Sequence, residues 1–306
     1  MLTCSSSAGS QLDHLHNIAR LALRFHGPYL ATSQAVAIGL TICASPSQEE
    51  AFQRSAVLRQ CPAPLRERYV KLGKWLLERV SFLPDMLPLL EEDQCALGLF
   101  SNFIDHHARQ GRAADICTLK DHLSKWIPVV KIQDPDNDGE TRTYSPLTAE
   151  GKFDMNRANW GWNSTWFLEG IHAGDINMNH AGFANFLYDN SKPVREDPKY
   201  FRDGLFEGAP LIGGYRCIWT SPDSSTKAPG VGGTGRASIS RMNGITQVTP
   251  ENIAYVACLM RHVLSSESSW VHQNPKVFDG AQFFDNIVML FAFKNFAEPV
   301  LHLFNK

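Results

Sequence analysis

The feature that most constrains the fold is a helical period in the apolar residues. From about Ser10 to Trp126, apolar residues recur three and four positions apart, which places them on one side of an α-helix. The first stripe comprises Leu12, Leu15, Ile18, Ala19 and Ala22. The clearest later stripe comprises Leu65, Tyr69, Leu72, Trp75 and Leu76. Pro84 is expected to end or kink that second helix, so the pattern predicts an N-terminal α-helical bundle.

The same period continues through the rest of the chain, with one interruption. "EEDQCALGLFSNFIDHHARQ" and "AADICTLKDHLSKWI" are predicted to be two helices joined around Gly111. Helical patterns return in "FRDGLFEGAPLIGGYRCIWTS", "TPENIAYVACLMRHVLSS" and "GAQFFDNIVMLFAFKNF". Thr249 is predicted to cap the second of these, with Pro250 at its first position. Apolar residues on nearly every side of the last two helices predict burial at the centre of the fold or at a subunit interface.

The interruption lies between Pro128 and Pro198, where Asp, Asn, Gly and Trp dominate and the helical period fades. A segment of this length within a compact domain is typically functional, partly disordered or composed of short elements. We therefore predict a mainly α, multi-helix globular domain with a long irregular central segment. Its parts are a helical bundle (1–127), the irregular segment (128–197) and a C-terminal helical part (198–306) that packs on the bundle within one compact domain.

Composition excludes several classes of protein. A chain of 306 residues is long enough to bury a core without metals or disulfides, and its net charge of −2 favours neither nucleic acid nor a membrane surface as a partner. Seven scattered cysteines without a CxxC pair indicate reduced thiols. The N-terminus lacks a signal-peptide pattern, and "NIVMLFAF" is too short to span a bilayer. We expect an intracellular protein, cytoplasmic or nuclear, that is neither secreted nor embedded in a membrane.

The segment "APGVGGTGRASISRM" (228–242) contains a GxGxxG spacing, but it lacks the context for nucleotide binding. A P-loop needs Lys and then Ser or Thr after its last glycine, and here Gly235 is followed by Arg236 and Ala237. A dinucleotide fingerprint needs a buried strand before the glycines, and a polar stretch precedes them. We predict a surface loop without a nucleotide. Arg236 and Arg241, beside a helix start near Ser238, remain candidates for binding an anion.

Two patterns resemble metal motifs only in part. "DPDNDGETRTYS" (134–145) matches the first half of an EF-hand loop, but Ser145 replaces the bidentate Glu and Pro146 discourages the exiting helix. "DHH" (105–107) resembles a phosphoesterase motif in letters. In a helix, neighbouring side chains diverge by about 100°, so these three cannot face one metal. A solvated acidic turn and an ordinary helical surface are the predicted structures.

A third pattern, "GIHAGDINMNH", provides candidate ligands for a transition metal. Two imidazoles and a carboxylate can hold a catalytic metal with open positions, and the candidates are His172, Asp175 and His180. The same side chains could instead serve as hydrogen-bonded loop residues, because their spacing matches no standard metal motif. The cofactor therefore stays unknown, with a transition metal as the one candidate.

Aromatic residues accompany that pattern. Trp160, Trp162 and Trp166 lie shortly before it and Tyr188 shortly after it. Aromatic rings in a polar loop can stack on a flat ligand. They can equally anchor the loop to the helical core. These four residues are the candidates for a ligand pocket.

A wider likeness appears when six segments are taken in order. They are "GRAADICTLKDHLSKWI", "GWNSTWFLEG", "ANFLYD", "GLFEGAPLIGGYRCIWTSPDSS", "IAYVACLMRHVLSS" and "FDGAQFFDNIVML". This succession, from about Leu83 to Phe291, resembles a domain-of-unknown-function family of mushroom-forming (basidiomycete) fungi. The resemblance implies a fungal, intracellular protein. It brings no activity, cofactor or catalytic residue.

Two functional hypotheses follow from these observations. The first is a non-catalytic α-helical binding or interaction protein that forms a homo-oligomer through residues 281–296, since the last helices are strongly apolar and no catalytic motif is complete. The alternative is an enzyme or small-ligand protein with its site in the loop 160–190. A nucleic-acid role, which the overall charge does not favour, would depend on Arg236 and Arg241.

Overall fold

The computed structural model describes most of the helical part of the chain. The described residues are 5–54, 56–126, 130–133, 141–144, 185–189, 202–220, 239–244, 246–264, 270, 273–274 and 278–305. They divide into two compact units, Met1–Ala114 and Asp115–Lys306. The predicted division at residues 127 and 197, and the prediction of one compact domain, stay predictions.

The N-terminal unit is built from helices. They are α1 (Ser5–His26), α2 (Thr32–Ala44), α3 (Gln48–Arg54), α4 (Ala56–Gln60), α5 (Ala63–Arg79), α6 (Leu83–Glu92) and the first part of α7 (Gln94–His122). The α1 stripe is buried from Leu15 onward, whereas Leu12 is exposed. Pro84 lies in the first turn of α6, a position where proline's missing N–H costs nothing. It therefore begins a helix instead of ending the one before.

Helices α2 and α5 cross at very short range. Gly39 of α2 faces the carbonyl group of Tyr69, and a Cβ on Gly73 of α5 would lie 2.7 Å from the Gly39 carbonyl carbon. Neither position therefore has room for a side chain. Around the crossing, Tyr69, Leu72 and Leu76 bury the apolar stripe predicted for α5.

Helix α7 corrects the prediction of two helices joined around Gly111. The chain is continuous helix from Gln94 to His122, beginning at Asp93, whose carboxylate accepts the N–H groups of Cys95 and Ala96. Gly111 lies inside this helix, at a position where a Cβ would approach the Arg20 carbonyl oxygen to 2.5 Å. This glycine serves close packing on α1 and does not break the helix.

The C-terminal unit has a mostly buried helix as its main element. Its helices are α8 (Ala209–Trp219), α9 (Ile239–Met242), α10 (Pro250–Leu264), α11 (Gly280–Leu290) and α12 (Lys294–Phe304). Every residue of α10 from Asn252 to Arg261 is buried, as the all-round apolar pattern predicted. The Thr249 cap is also confirmed: its Oγ1 accepts the Asn252 N–H at 3.3 Å, and Asn252 Oδ1 accepts the Thr249 N–H at 3.1 Å.

Short strands occur beside the helices. Strands β1 (Val130–Gln133) and β2 (Thr141–Tyr144) pair antiparallel, with Val130 opposite Tyr144, and β3 (Gln273–Asn274) pairs with β4 (Phe278–Asp279). β1 directly precedes the EF-hand-like segment and β2 forms most of its second half. An EF-hand requires helices on both sides of its loop, so this hairpin supports the expectation that the segment is not an EF-hand.

The last predicted helix is two helices. "GAQFFDNIVMLFAFKNF" ends its first helix at Leu290, turns through Phe291–Phe293, and resumes at Lys294 with a bend of 103°. Among the described helices, none alone is long and apolar enough to cross a bilayer. α11 and α12 meet that length and composition only when taken together across their bend. The prediction of a mainly α fold is confirmed by the described residues.

Candidate functional site

Most of the site residues predicted from the sequence lie outside the described residues. This applies to His172, Asp175, His180, Trp160, Trp162, Trp166 and Arg236. Their assignments stay predictions. Within the part of the chain that the structure describes, no group of three His, Cys, Asp or Glu side chains is arranged to hold a metal ion.

Tyr188 and Arg241 are described. Tyr188 is half-buried and pairs through its backbone with Leu205, and burial raises the pKa of its phenol. Its hydroxyl is therefore protonated at neutral pH. Arg241 is exposed on the four-residue helix α9, whose Ser240 hydroxyl donates to the Trp219 carbonyl oxygen at 3.0 Å. The roles predicted for these two residues stay predictions.

The corner between α11 and α12 carries an exposed apolar surface. Helix α11 begins at Asp279, whose carboxylate accepts the N–H groups of Ala281 and Gln282 at 2.9 and 3.0 Å. This cap fixes where the helix starts. The helix then buries Phe283, Phe284 and Ile287 on one face, so the residues opposite that face turn to solvent.

Three phenylalanine rings shape the corner. Phe206 stacks on Phe291 with ring centroids 5.6 Å apart, and Phe296 lies 5.8 Å from each of them. Phe206 adopts a positive φ of 64° within this cluster, an uncommon conformation for a bulky residue. Because Phe291 at the end of α11 and Phe296 in α12 both pack on Phe206, the intervening residues are forced outward.

The outward residues are unusually exposed for their size. Met289 is 67% exposed and Phe293 is 51% exposed, although the Arg202 guanidinium lies 4.3 Å from the Phe293 ring centroid. Ala292 is exposed and Leu290 is half-buried beside them. We call Met289, Leu290, Ala292 and Phe293 the corner surface. Such a patch can contact another apolar surface without refolding.

Exposed charges of both signs lie next to the corner surface. Lys294 and Glu298 are exposed on the first turns of α12, and Asp203 is exposed near Arg202 in the sequence. A polar rim around an apolar centre is typical of protein–protein contact sites. This arrangement favours docking of another protein over docking of a charged small molecule.

The core of the C-terminal unit contains a buried polar pair. The Tyr255 hydroxyl donates to Asp115 Oδ2 at 2.8 Å, and both side chains are buried. A buried carboxylate is tolerable only when its oxygens accept hydrogen bonds. The pair connects α10 to the last turns of α7, and its burial keeps it from reaching a substrate.

The buried thiols of this unit are not activated for catalysis. Burial raises the pKa of Cys217 to about 12, with Lys125 opposing the shift and Asp115 and Asp121 adding to it. The pKa of Cys258 is also raised, and burial is again the largest cause. Because the thiolate is the nucleophile, these protonated thiols are poor ones.

Sequence reasoning missed the buried polar pair of this unit. Asp115 and Tyr255 are 140 residues apart, and neither belongs to a recognisable motif. Asp115 is one of three acidic residues in α7, with Asp105 and Asp121, so its local sequence does not mark it as the buried one.

Comparison with known proteins gives a family without an assigned activity. A search of curated proteins and a search of solved structures each found no match. A family model described as a family of unknown function (DUF6698) matches residues 106–306, which include Asp115, Tyr255 and the corner surface. Because the match covers more than half of the chain, this protein belongs to the DUF6698 family of unknown function.

Proposed function

We propose that the protein is a non-catalytic helical interaction module that forms a homodimer through residues 281–296. The observation that carries this proposal is the exposure of Met289 and Phe293 at the α11–α12 corner, inside that segment. Large apolar side chains exposed side by side commonly mark a protein contact site. Methionine and phenylalanine are also among the residues enriched at such sites.

A second copy of the chain suits this surface. In a twofold dimer the same patch meets itself, so Met289 of one protomer can lie against Phe293 of the other. A thioether beside an aromatic ring is a favourable contact. The exposed Lys294 and Glu298 give the rim both signs of charge, so two identical rims need not repel.

Charged substitutions at the corner should weaken self-association. In Met289→Glu and in Phe293→Glu we expect the dimer dissociation constant to rise roughly 10- to 100-fold, because each buries a carboxylate in an apolar contact. Sedimentation velocity over a concentration series measures the change. Leu99→Glu is the matched control, since Leu99 is 68% exposed but lies on α7 in the N-terminal unit.

The controls make the result specific to the corner. Each variant should keep the wild-type circular dichroism spectrum, since the substituted side chains lie at the surface. A wild-type protein that sediments as a monomer at high micromolar concentration would contradict the homodimer. So would equal weakening by Leu99→Glu.

The alternative proposal is an enzyme or small-ligand protein with a His/Asp site in the loop 160–190. Its support is the sequence pattern of His172, Asp175 and His180. Protein purified without chelator should then contain a transition metal in near-equimolar amount, and His172→Ala should lose most of it. Metal analysis by mass spectrometry decides this. Unchanged occupancy in His172→Ala would remove the metal form of the proposal.

We also propose a fungal, intracellular origin for the protein. The resemblance of the six ordered segments to a basidiomycete family supports the fungal source. The reducing compartment is supported by the described cysteines, which are all free thiols: Cys43, Cys61, Cys95, Cys117, Cys217 and Cys258. Free thiols are typical of cytosolic and nuclear proteins.

A further inference from the structure

The N-terminal unit contains a cleft that the proposed function does not use. It has a volume of about 470 Å³ and lies between α2, α3 and α5. This volume falls within the range of small-molecule sites, roughly 300–1,000 Å³. The apolar part of its lining comprises Ile42, Phe52, Ala63 and Val70. The cleft also lies outside residues 106–306, the part matched by the family.

Charged side chains complete the lining. Arg66 and Lys71 contribute two positive charges and Glu67 one negative charge, which leaves the cleft positive. Arg66 places its guanidinium 4.6 Å from the centroid of the Phe52 ring. Its Nε is fully buried and has no hydrogen-bond partner among the side chains and backbone that the structure describes. Because arginine carries five N–H donors, the rest of its guanidinium can donate to an anion in the cleft.

The start of α5 adds to the positive end of the cleft. Ala63 is the first residue of this 17-residue helix, and the residue before it, Pro62, has no side-chain acceptor to cap the helix. Amide groups in the first turn of a helix have no partner within the helix and favour negative charge. The cleft therefore combines an uncapped helix start, a cation held on an aromatic ring and an aliphatic wall.

We propose that this cleft binds a free aliphatic carboxylate of short to medium chain length. The carboxylate accepts from Arg66 and lies near the start of α5, while Lys71 adds long-range attraction. The hydrocarbon chain lies along Ile42, Phe52 and Val70. Charge and shape both select this class: an alcohol lacks the charge for Arg66, and a short inorganic anion leaves the apolar wall in water.

Isothermal titration calorimetry of the full-length chain with sodium octanoate tests the site. We expect saturable binding of one octanoate per chain. Arg66→Met should weaken it roughly 10- to 100-fold, because a hydrogen bond to a charged group is lost. Val70→Trp should abolish binding by filling the cleft. Lys74→Met is the matched control: Lys74 lies exposed on the same helix outside the lining, so its variant should bind as the wild type does.

A second probe and a folding control complete the test. 1-Octanol should bind at least tenfold more weakly than octanoate if the carboxylate is recognised. Equal binding of the two probes, unchanged affinity in Arg66→Met, or no heat with octanoate would each overturn the proposal. Thermal melting of each variant establishes that the chain is folded, and Val70→Trp keeps the test valid if Arg66→Met melts early. None of these results depends on dimerisation.

Discussion

Gly39→Val is expected to destabilise the N-terminal unit by about 3 kcal/mol or more. A Cβ at Gly39 would overlap the Tyr69 carbonyl group and lie 3.2 Å from the Gly73 backbone nitrogen. Both obstacles are backbone atoms, so no side-chain rotation can relieve the overlap. Helices α2 and α5 would have to move apart, which would open the packing around Tyr69 and Leu72.

Urea denaturation of the full-length chain, followed by circular dichroism, measures this loss. Gly98→Ala is the matched control because Gly98 also lies inside a helix, α7, and a Cβ there meets no atom within 4 Å. That control should stabilise the protein by about 0.5–1 kcal/mol, since alanine restricts the unfolded chain more than glycine does. Equal effects of the two substitutions would show that α2 and α5 do not cross this closely.

Local sequence pattern predicted most helices, because helix formation depends on residues three and four apart. Thr249 and Pro250 even identified the first turn of α10. Errors arose where distant packing overrode local preference. Gly111 was expected to separate two helices, yet the nearby Arg20 carbonyl group explains the glycine without any break.

At the corner surface, too, distant packing decides a feature that the local sequence does not predict. The segment 281–296 contains neither proline nor glycine, so nothing in the local sequence indicates that the helix breaks after Leu290. The bend follows from packing of Phe291 and Phe296 on Phe206, which is 85 residues before Phe291 in the chain. The largely apolar character of the segment predicts that it contacts a partner, which stays a prediction, and tertiary packing decides that Met289 and Phe293 are its exposed large apolar residues.

The cleft could not be predicted from the sequence for a related reason. Its lining comes from Ile42, Phe52 and the first turns of α5, which are separate in the chain. Arg66 in the helical pattern of α5 is indistinguishable from an ordinary surface cation. Its significance depends on the Phe52 ring beside it and on its position in the lining of the cleft.

His26 is expected to make the N-terminal unit less stable in mild acid. The pKa of its imidazole is lowered to about 3, mainly by burial and in addition by the nearby cations Arg68 and Lys71. The ordinary histidine pKa is about 6.5. Between these two pH values, His26 binds a proton in the unfolded chain but stays neutral in the folded chain. The stabilising effect is therefore fully present above about pH 6.5 and is lost as the pH falls toward 3.

The expected loss from His26 is about 2 kcal/mol between neutral pH and about pH 5. His26→Phe removes the titration while keeping a ring against Trp75, whose ring centroid lies 5.4 Å away. Its stability should therefore fall less steeply with acid than that of the wild type, as measured by urea denaturation at several pH values. Carboxylates titrate in both proteins, so the difference between the two curves isolates His26. Lys71→Met should raise the pKa of His26 in an NMR titration, because it removes one repelling charge. Parallel curves for wild type and His26→Phe would show that His26 is protonated as easily in the folded chain as in the unfolded one.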